Sequence, residues 1–245
     1  MISDGYSIKT IDSPEFEQYS NLLALTVTGA SLQTPSFWPK ASYNPELRLK
    51  GSDWPLFGYS MAGVERQFNI RDLLKRVETD GVIGDFVEAG VWRGGTSIFA
   101  RGMMDFANIN RTSWLFDSFE GLPKASTSKD SNVWSKMEYV AVGLDEVKSN
   151  FRLMNVSLDH VKFVKGFRKD TFPKVRNGSL GLGKIAILRL DSDMWESTMD
   201  ILYNCWELIS FGGWVINDDG EDPASDALIE FANTHQLTFD YQFRP

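Results

Sequence analysis

The chain predicts an α/β fold, a doubly wound and mostly parallel sheet with helices on both faces, preceded by an N-terminal arm of different character. Three observations carry that prediction. From Glu65 onward short apolar runs alternate with helical patterns, and strands alternating with helices form parallel sheets. One run, Ile185-Ala186-Ile187-Leu188, is almost continuously apolar, as a strand buried on both faces must be. The 245 residues, 42% hydrophobic and 24% charged, have the composition and length of a globular chain with an ample core.

The arm, residues 1–60, holds Pro14, Pro35, Pro39, Pro45 and Pro55, with Trp38, Tyr43, Trp54 and Phe57 between them. A short helix over about 15–25 is expected, followed by irregular chain. The arm serves either as a surface element packed on the main domain or as a lid and substrate wall. The main domain takes 61–245. Phe68, Leu73, Leu74 and Val77 share one face of a helix that Gly81 ends. Strands are read at 83–89, 113–117, 161–164, 184–190 and 213–217, with 237–243 as a further candidate. Helical patterns fall at about 95–107, 143–154, 196–210 and 222–235. No internal repeat is visible.

Composition removes several classes of function. Acidic residues number 33 and basic ones 25, a net charge of −8, which argues against a nucleic-acid or membrane-surface binder. Cys205 is the only cysteine, so no intramolecular disulfide or Cys-based zinc site can form. Two histidines, His160 and His235, leave little room for a His-rich metal site, and they make a hydrolase triad around Ser97, Ser192 or Ser197 a poor reading. Cys205 reads as core, His160 as a surface turn, and His235 as a partner of helix C-terminal carbonyls. Gly181-Leu182-Gly183 leads into a strand, so it is a loop and not a phosphate cradle. No apolar run reaches the ~18 residues of a membrane span, and no signal peptide is visible. A cytoplasmic protein is expected.

Ligands of doubly wound sheets bind beyond the carboxyl ends of the strands. The first strand runs into Glu88-Ala89-Gly90-Val91-Trp92-Arg93-Gly94-Gly95-Thr96-Ser97. Gly90 there lets a ligand approach the backbone, and Gly94-Gly95 turns into a helix. The spacing is not the dinucleotide fingerprint G-x-G-x-x-G. An acid such as Glu88 suits a ligand with a positive amine, and Asp117, ending the second strand, suits a ribose diol. Together they point to S-adenosylmethionine. Two further strands end in Asp191-Ser192-Asp193 and Asn217-Asp218-Asp219. Four converging carboxylates need neutralising, and an oxygen-liking cation such as Mg²⁺ is the natural candidate. Asp191 and Asp193, at i and i+2 of an extended segment, are expected to face one reaction centre.

Five segments in order, FVEAGVWRGG (86–95), LFDSFEGLP (115–123), GFRKDTFP (166–173), LRLDSDMWESTMD (188–200) and GGWVINDDG (212–220), resemble the macrocin O-methyltransferase family, over about 60–235. The resemblance implies a class I methyltransferase fold, use of S-adenosylmethionine and Mg²⁺, and methylation of sugar hydroxyls on macrolides, coumarins and related natural products. It implies metal ligands at Asp191, Asp218 and Asp219 and a general base at Asp193. It places Glu88, Gly90 and Ser97 in the cofactor turn, Asp117 and Ser118 at the ribose, Ser60 and Met61 at the methionine end, and Gly166 and Phe167 near the adenine. A homodimer is implied, and the expected partner is a small glycosylated acceptor. Trp195 stands where the family carries Tyr and is expected to reshape the acceptor pocket. Residues 124–142 and the arm are expected to help choose the acceptor. Two rival readings exist. A metal-dependent dinucleotide oxidoreductase needs the fingerprint this chain lacks, and a non-catalytic binding module has no need of four clustered acids.

Overall fold

A computed structural model of the protein describes residues 11–220 and 223–238. Helix α1 (Pro14–Val27) starts where Ser13 Oγ accepts from Phe16 N at 3.1 Å, with Pro14 in the first turn. A missing N–H costs nothing there. Its buried face, Phe16, Ser20, Leu23, Ala24 and Val27, packs against α3 (Gly63–Thr79) and α4 (Gly95–Phe106). Between α1 and α3 lie β1 (Ser36–Trp38), α2 (Pro45–Lys50) and β2 (Trp54–Pro55). Helix α2 has Asn44 as N-cap, Pro45 in its first turn and Gly51 at φ +71° as its stop. Buried Arg48 ties this stretch together: Nε and Nη2 donate to Asp53 at 2.8 and 2.7 Å, and Nη1 donates to Thr28 O at 3.0 Å.

Strands β3 (Asp85–Ala89), β4 (Ser113–Asp117), β5 (Val161–Lys165), β6 (Ile185–Leu190) and β7 (Ile209–Asn217) form one parallel sheet in the order β5-β4-β3-β6-β7. Alternating side chains feed two cores. Phe86, Leu115 and Ile187 join α1, α3, α4 and α5 (Leu144–Leu153) on one face. Val87, Phe116 and Leu188 join α6 (Arg168–Arg176), α7 (Trp195–Cys205) and α8 (Pro223–Thr234) on the other. Cys205 belongs to the second core, where burial pushes its thiol pKa up. His235 Nδ1 lies 2.9 Å from Phe231 O at the end of α8.

Three elements differ from the sequence reading, which places no helix at 168–176. Helix α7 stops at Cys205 and β7 begins at Ile209, although the apolar pattern runs on through Trp206 and Leu208. Helix α6 has no strong apolar period and carries Pro173 inside it, which reads as a break. Of the candidate strand 237–243, Leu237 and Thr238 are not in a strand, and the rest lies outside the described residues.

Helix α7 is capped from a distance. Asp130 accepts from Trp195 N at 2.7 Å and Glu196 N at 3.2 Å, so the 124–142 segment is moored to the helix that follows Asp193. Loss of such a cap costs about 1 kcal/mol. Asp130→Ala should therefore lower the unfolding free energy by that amount, seen as a lower urea midpoint with an unchanged m-value. A variant as stable as the parent would show that water caps the helix equally well.

Candidate active site

The sheet reverses its winding between β3 and β6, and the carboxyl ends of these two strands open the crevice where such folds bind ligands. The first fixed point is Gly90, at φ +109°. A Cβ there would lie 1.7 Å from Asp191 O. The close approach expected of a ligand is therefore made by the neighbouring strand end, and Gly90 is required to bring Asp191 beside the cofactor turn. Gly95 also packs tightly, a Cβ there lying 2.3 Å from Tyr59 C, and its N–H donates to Tyr59 O at 2.7 Å.

Beneath the crevice lies a layer of ion pairs. Glu88 and Arg189 are register partners on β3 and β6 and point into the α3–α4 face. Arg189, 1% exposed, donates Nη1 to Glu88 Oε1 at 2.7 Å and to Asp191 Oδ2 at 2.8 Å, and Nη2 to Asp218 Oδ2 at 2.7 Å. Burial works against its charge, but Asp218, Asp191 and Glu88 outweigh it and the guanidinium stays protonated. Burial raises the Glu88 pKa to about 8 against the pull of Arg189. Burial also raises that of Asp191, with Asp218 adding to it and Arg189 opposing it. Ser97 Oγ donates to Glu88 Oε2, so both oxygens of Glu88 are engaged inside the protein.

Above this layer, Asp191, Asp193 and Asp219 bring carboxylate oxygens within 4.8 Å of one another. Asp219 Oδ2 accepts from the backbone N–H groups of Ser192 at 2.9 Å and Asp193 at 3.0 Å. Asp193 sits at φ +56°, a left-handed conformation in which Asp is enriched. The two acids of 191–193 thus converge through a turn and not through the extended segment expected. Asp218 lies outside the cluster. Its Oδ2 is shared by Arg189 and by Arg66, whose Nη1 donates to Oδ2 at 3.0 Å and to Asp218 O at 2.9 Å.

The four strand-end acids line a cavity of about 290 Å³ together with Trp54, Met61, Leu122 and Val140. Its walls thus come from the arm, from the 120–142 segment and from the strand ends. Trp195 is not among the lining residues. Its indole donates to Glu230 Oε2 at 3.2 Å and lies under Lys129, so the expected reshaping of the pocket does not occur through it.

Of the remaining expected cofactor residues, Asp117, Ser118, Gly166 and Phe167 stand at the ends of β4 and β5, and Ser60 and Met61 precede α3. Asp117 Oδ2 accepts from Val91 N at 2.7 Å and Oδ1 from Phe119 N at 2.7 Å, which leaves lone pairs on both oxygens. Ser118 Oγ donates to Gly121 O at 2.5 Å. Gly166 N donates to Asp117 O at 2.9 Å, and Phe167 opens α6. Ser60 Oγ lies 2.9 Å from Thr96 Oγ1 and accepts from Gln67 Nε2 at 3.0 Å. A smaller cavity beside the first is lined by Ser60, Met61, Val91, Trp92 and Thr96, with Arg189 and Asp191 at its base.

Sequence reading missed Arg189, Arg66 and Gln67. The available signal was an arginine inside the otherwise apolar run Ile185–Leu190, where a charge needs buried partners. It also missed Tyr139, which stacks on Phe37 at 3.7 Å and donates to Pro55 O, clamping the arm to the 134–142 segment.

Comparison with known proteins agrees with this architecture. Residues 6–242 match the family model described as macrocin-O-methyltransferase (TylF). Demethyldecarbamoylnovobiocin O-methyltransferase of Streptomyces niveus is 34% identical over 226 residues, covering 87% of this chain and 84% of its own. Mycinamicin III 3''-O-methyltransferase of Micromonospora griseorubida is 33% identical over 236 residues, 91% of each. The solved structure of the O-methyltransferase NovP superposes with a TM-score of 0.85 at 33% identity, over 92% of this chain and 93% of that one. With the match spanning nearly the whole sequence and the fold shared along the same length, the chain belongs to the macrocin-O-methyltransferase (TylF) family and is an O-methyltransferase.

Proposed function

We propose that the protein transfers a methyl group from S-adenosylmethionine to a sugar hydroxyl of a glycosylated natural product, with Mg²⁺ at the strand-end acids. The observation that carries this reading is the cavity whose lining combines the carboxylates with Trp54, Met61, Leu122 and Val140. It fits an acceptor that presents hydroxyls on one side and an apolar face on the other. Two relatives are named for O-methylation of demethyldecarbamoylnovobiocin and of mycinamicin III.

The donor set fits Mg²⁺. All available ligands are carboxylate oxygens, the hard donors this ion prefers. Asp191, Asp218 and Asp219 would hold it: Asp191 and Asp219 already meet in the cluster, and Asp218 borders the same cavity while its Oδ2 is held by Arg189 and Arg66. Mg²⁺ there supplies Lewis acidity that makes acceptor hydroxyls easier to deprotonate. Asp193, beside these ligands in the cavity wall, accepts the hydroxyl proton as general base. S-adenosylmethionine would lie along the Gly90–Ser97 turn and the neighbouring strand ends, and it supplies the methyl group. Asp117 accepts from its ribose, Ser118 supports that loop, and Gly166 and Phe167 border the adenine. Glu88 with Ser97, and Ser60 with Met61, shape the methionine end. Holding acceptor and donor in line is the rest of the work, worth roughly 7–11 kcal/mol in favourable cases.

Two measurements test the proposal. Incubation with labelled S-adenosylmethionine and demethyldecarbamoylnovobiocin or mycinamicin III should yield labelled methyl ether, and EDTA should abolish the transfer. Full transfer in EDTA would reject the metal. Asp117→Ala should weaken S-adenosylhomocysteine binding by the about 1.5–3 kcal/mol of a charge-assisted hydrogen bond, with unchanged circular dichroism. Unchanged affinity in the folded variant would sink the ribose assignment.

A further inference from the structure

We infer that Arg66 is a positioning residue for the divalent cation: it holds the Asp218–Asp219 turn in the geometry that binds metal. This rests on the metal reading above. Arg66 lies in the first turns of α3 (Gly63–Thr79), and α3 is otherwise a core-packing helix. Its guanidinium leaves that packing, lines the acidic cavity and makes two contacts with one residue. Nη1 reaches Asp218 O at 2.9 Å and Asp218 Oδ2 at 3.0 Å.

The pairing is specific in what it fixes. A contact with the carboxylate alone would leave the backbone free to turn. The contact with the carbonyl pins the peptide that joins Asp218 to Asp219, and Asp219 is the member of the turn that meets Asp191 and Asp193. Arg189 grips the same oxygen, Oδ2, from below at 2.7 Å. Two guanidiniums on one oxygen fix the carboxylate plane and direct its other oxygen. Arg189 is built into the sheet, whereas Arg66 comes from a helix and has a side chain 34% exposed. Arg66 is therefore the partner that can be changed without opening the core. Groups that orient metal ligands in this way typically govern metal affinity by 10–100-fold.

The test is titration calorimetry of the full chain with Mg²⁺, in the presence of S-adenosylhomocysteine, on wild type, Arg66→Lys, Arg66→Ala, Asp218→Asn and the Arg66→Ala/Asp218→Asn double variant. Arg66→Ala should bind Mg²⁺ about 10–100-fold more weakly, and Arg66→Lys should recover part of the loss. Its affinity for S-adenosylhomocysteine and its metal-free thermal midpoint should match wild type. In the Asp218→Asn background the Arg66→Ala change should still weaken Mg²⁺ binding, because the contact of Arg66 with Asp218 O survives that substitution. Wild-type Mg²⁺ affinity in Arg66→Ala would overturn the inference. So would equal losses of Mg²⁺, S-adenosylhomocysteine and thermal stability, which mark a general structural role. A double variant that binds Mg²⁺ no more weakly than Asp218→Asn alone would also overturn it, since the carbonyl contact would then fix nothing. A wild-type protein that binds no Mg²⁺ would refute the metal reading itself and the role of Arg66 with it, an outcome distinct from a failure confined to the Arg66 variants.

Discussion

Asp193→Asn is expected to slow methyl transfer by about 10²–10⁴-fold, the usual loss when a general base is removed, while Mg²⁺ still binds. Asp191→Asn is expected to lose Mg²⁺ affinity. The two acids are separated by one residue and both reach the same cluster, so their roles must be told apart by response and not by position. Raising pH should partly rescue Asp193→Asn, since hydroxide from solution can remove the proton. It should not rescue Asp191→Asn at low Mg²⁺. The checks are a Mg²⁺ titration and a pH–rate profile on each variant. If both lose metal alike while Asp218→Asn keeps it, the cation is held by Asp191, Asp193 and Asp219, the three that already meet, and Asp218 is a strut for the arginines.

Arg189→Ala should destabilise the fold by about 3–5 kcal/mol, the range for removing one partner of a buried charge network. Glu88, Asp191 and Asp218 would lose the guanidinium they share. Urea denaturation at pH 7 measures the loss, and its pH dependence has a definite sign. Glu88 already titrates near 8 in the folded protein, above its ordinary 4.5. Between those values the folded state holds more proton than the unfolded one, so this group's contribution to stability is full at low pH and falls as pH rises. Without Arg189 the fall should steepen, and the variant should lose less stability at pH 5 than at pH 8. A variant as stable as wild type at pH 7 would mean that other groups neutralise these acids.

The sheet was legible because its strands are short apolar-rich runs closed by Gly or polar turns, and its central strand β6 is buried throughout. The strand 113–117 was read with its observed limits. The acids at strand ends were legible for the same reason, as charges that follow an apolar run mark its carboxyl end. Contacts made across sequence were not legible. Nothing local in Asn217-Asp218-Asp219 says that Asp218 turns down to Arg189 and Arg66 while Asp219 turns up to Asp191. That division is set by a helix 152 positions away. Gly90 was recognised as a site of close approach, but its partner, Asp191 O, comes from a strand far along the chain. Helix α2 carried its signals in Asn44-Pro45 and Gly51, yet six residues are too few to show a period.

Titration calorimetry with S-adenosylhomocysteine and with NAD, each with Mg²⁺ and with EDTA, tests the central claim most directly. The predicted result is saturable binding of S-adenosylhomocysteine in both conditions, since Asp117 and the Gly90–Ser97 turn do not depend on the metal, and no binding of NAD. Binding of NAD, or failure of S-adenosylhomocysteine to bind in either condition, would contradict the assignment of the crevice to S-adenosylmethionine.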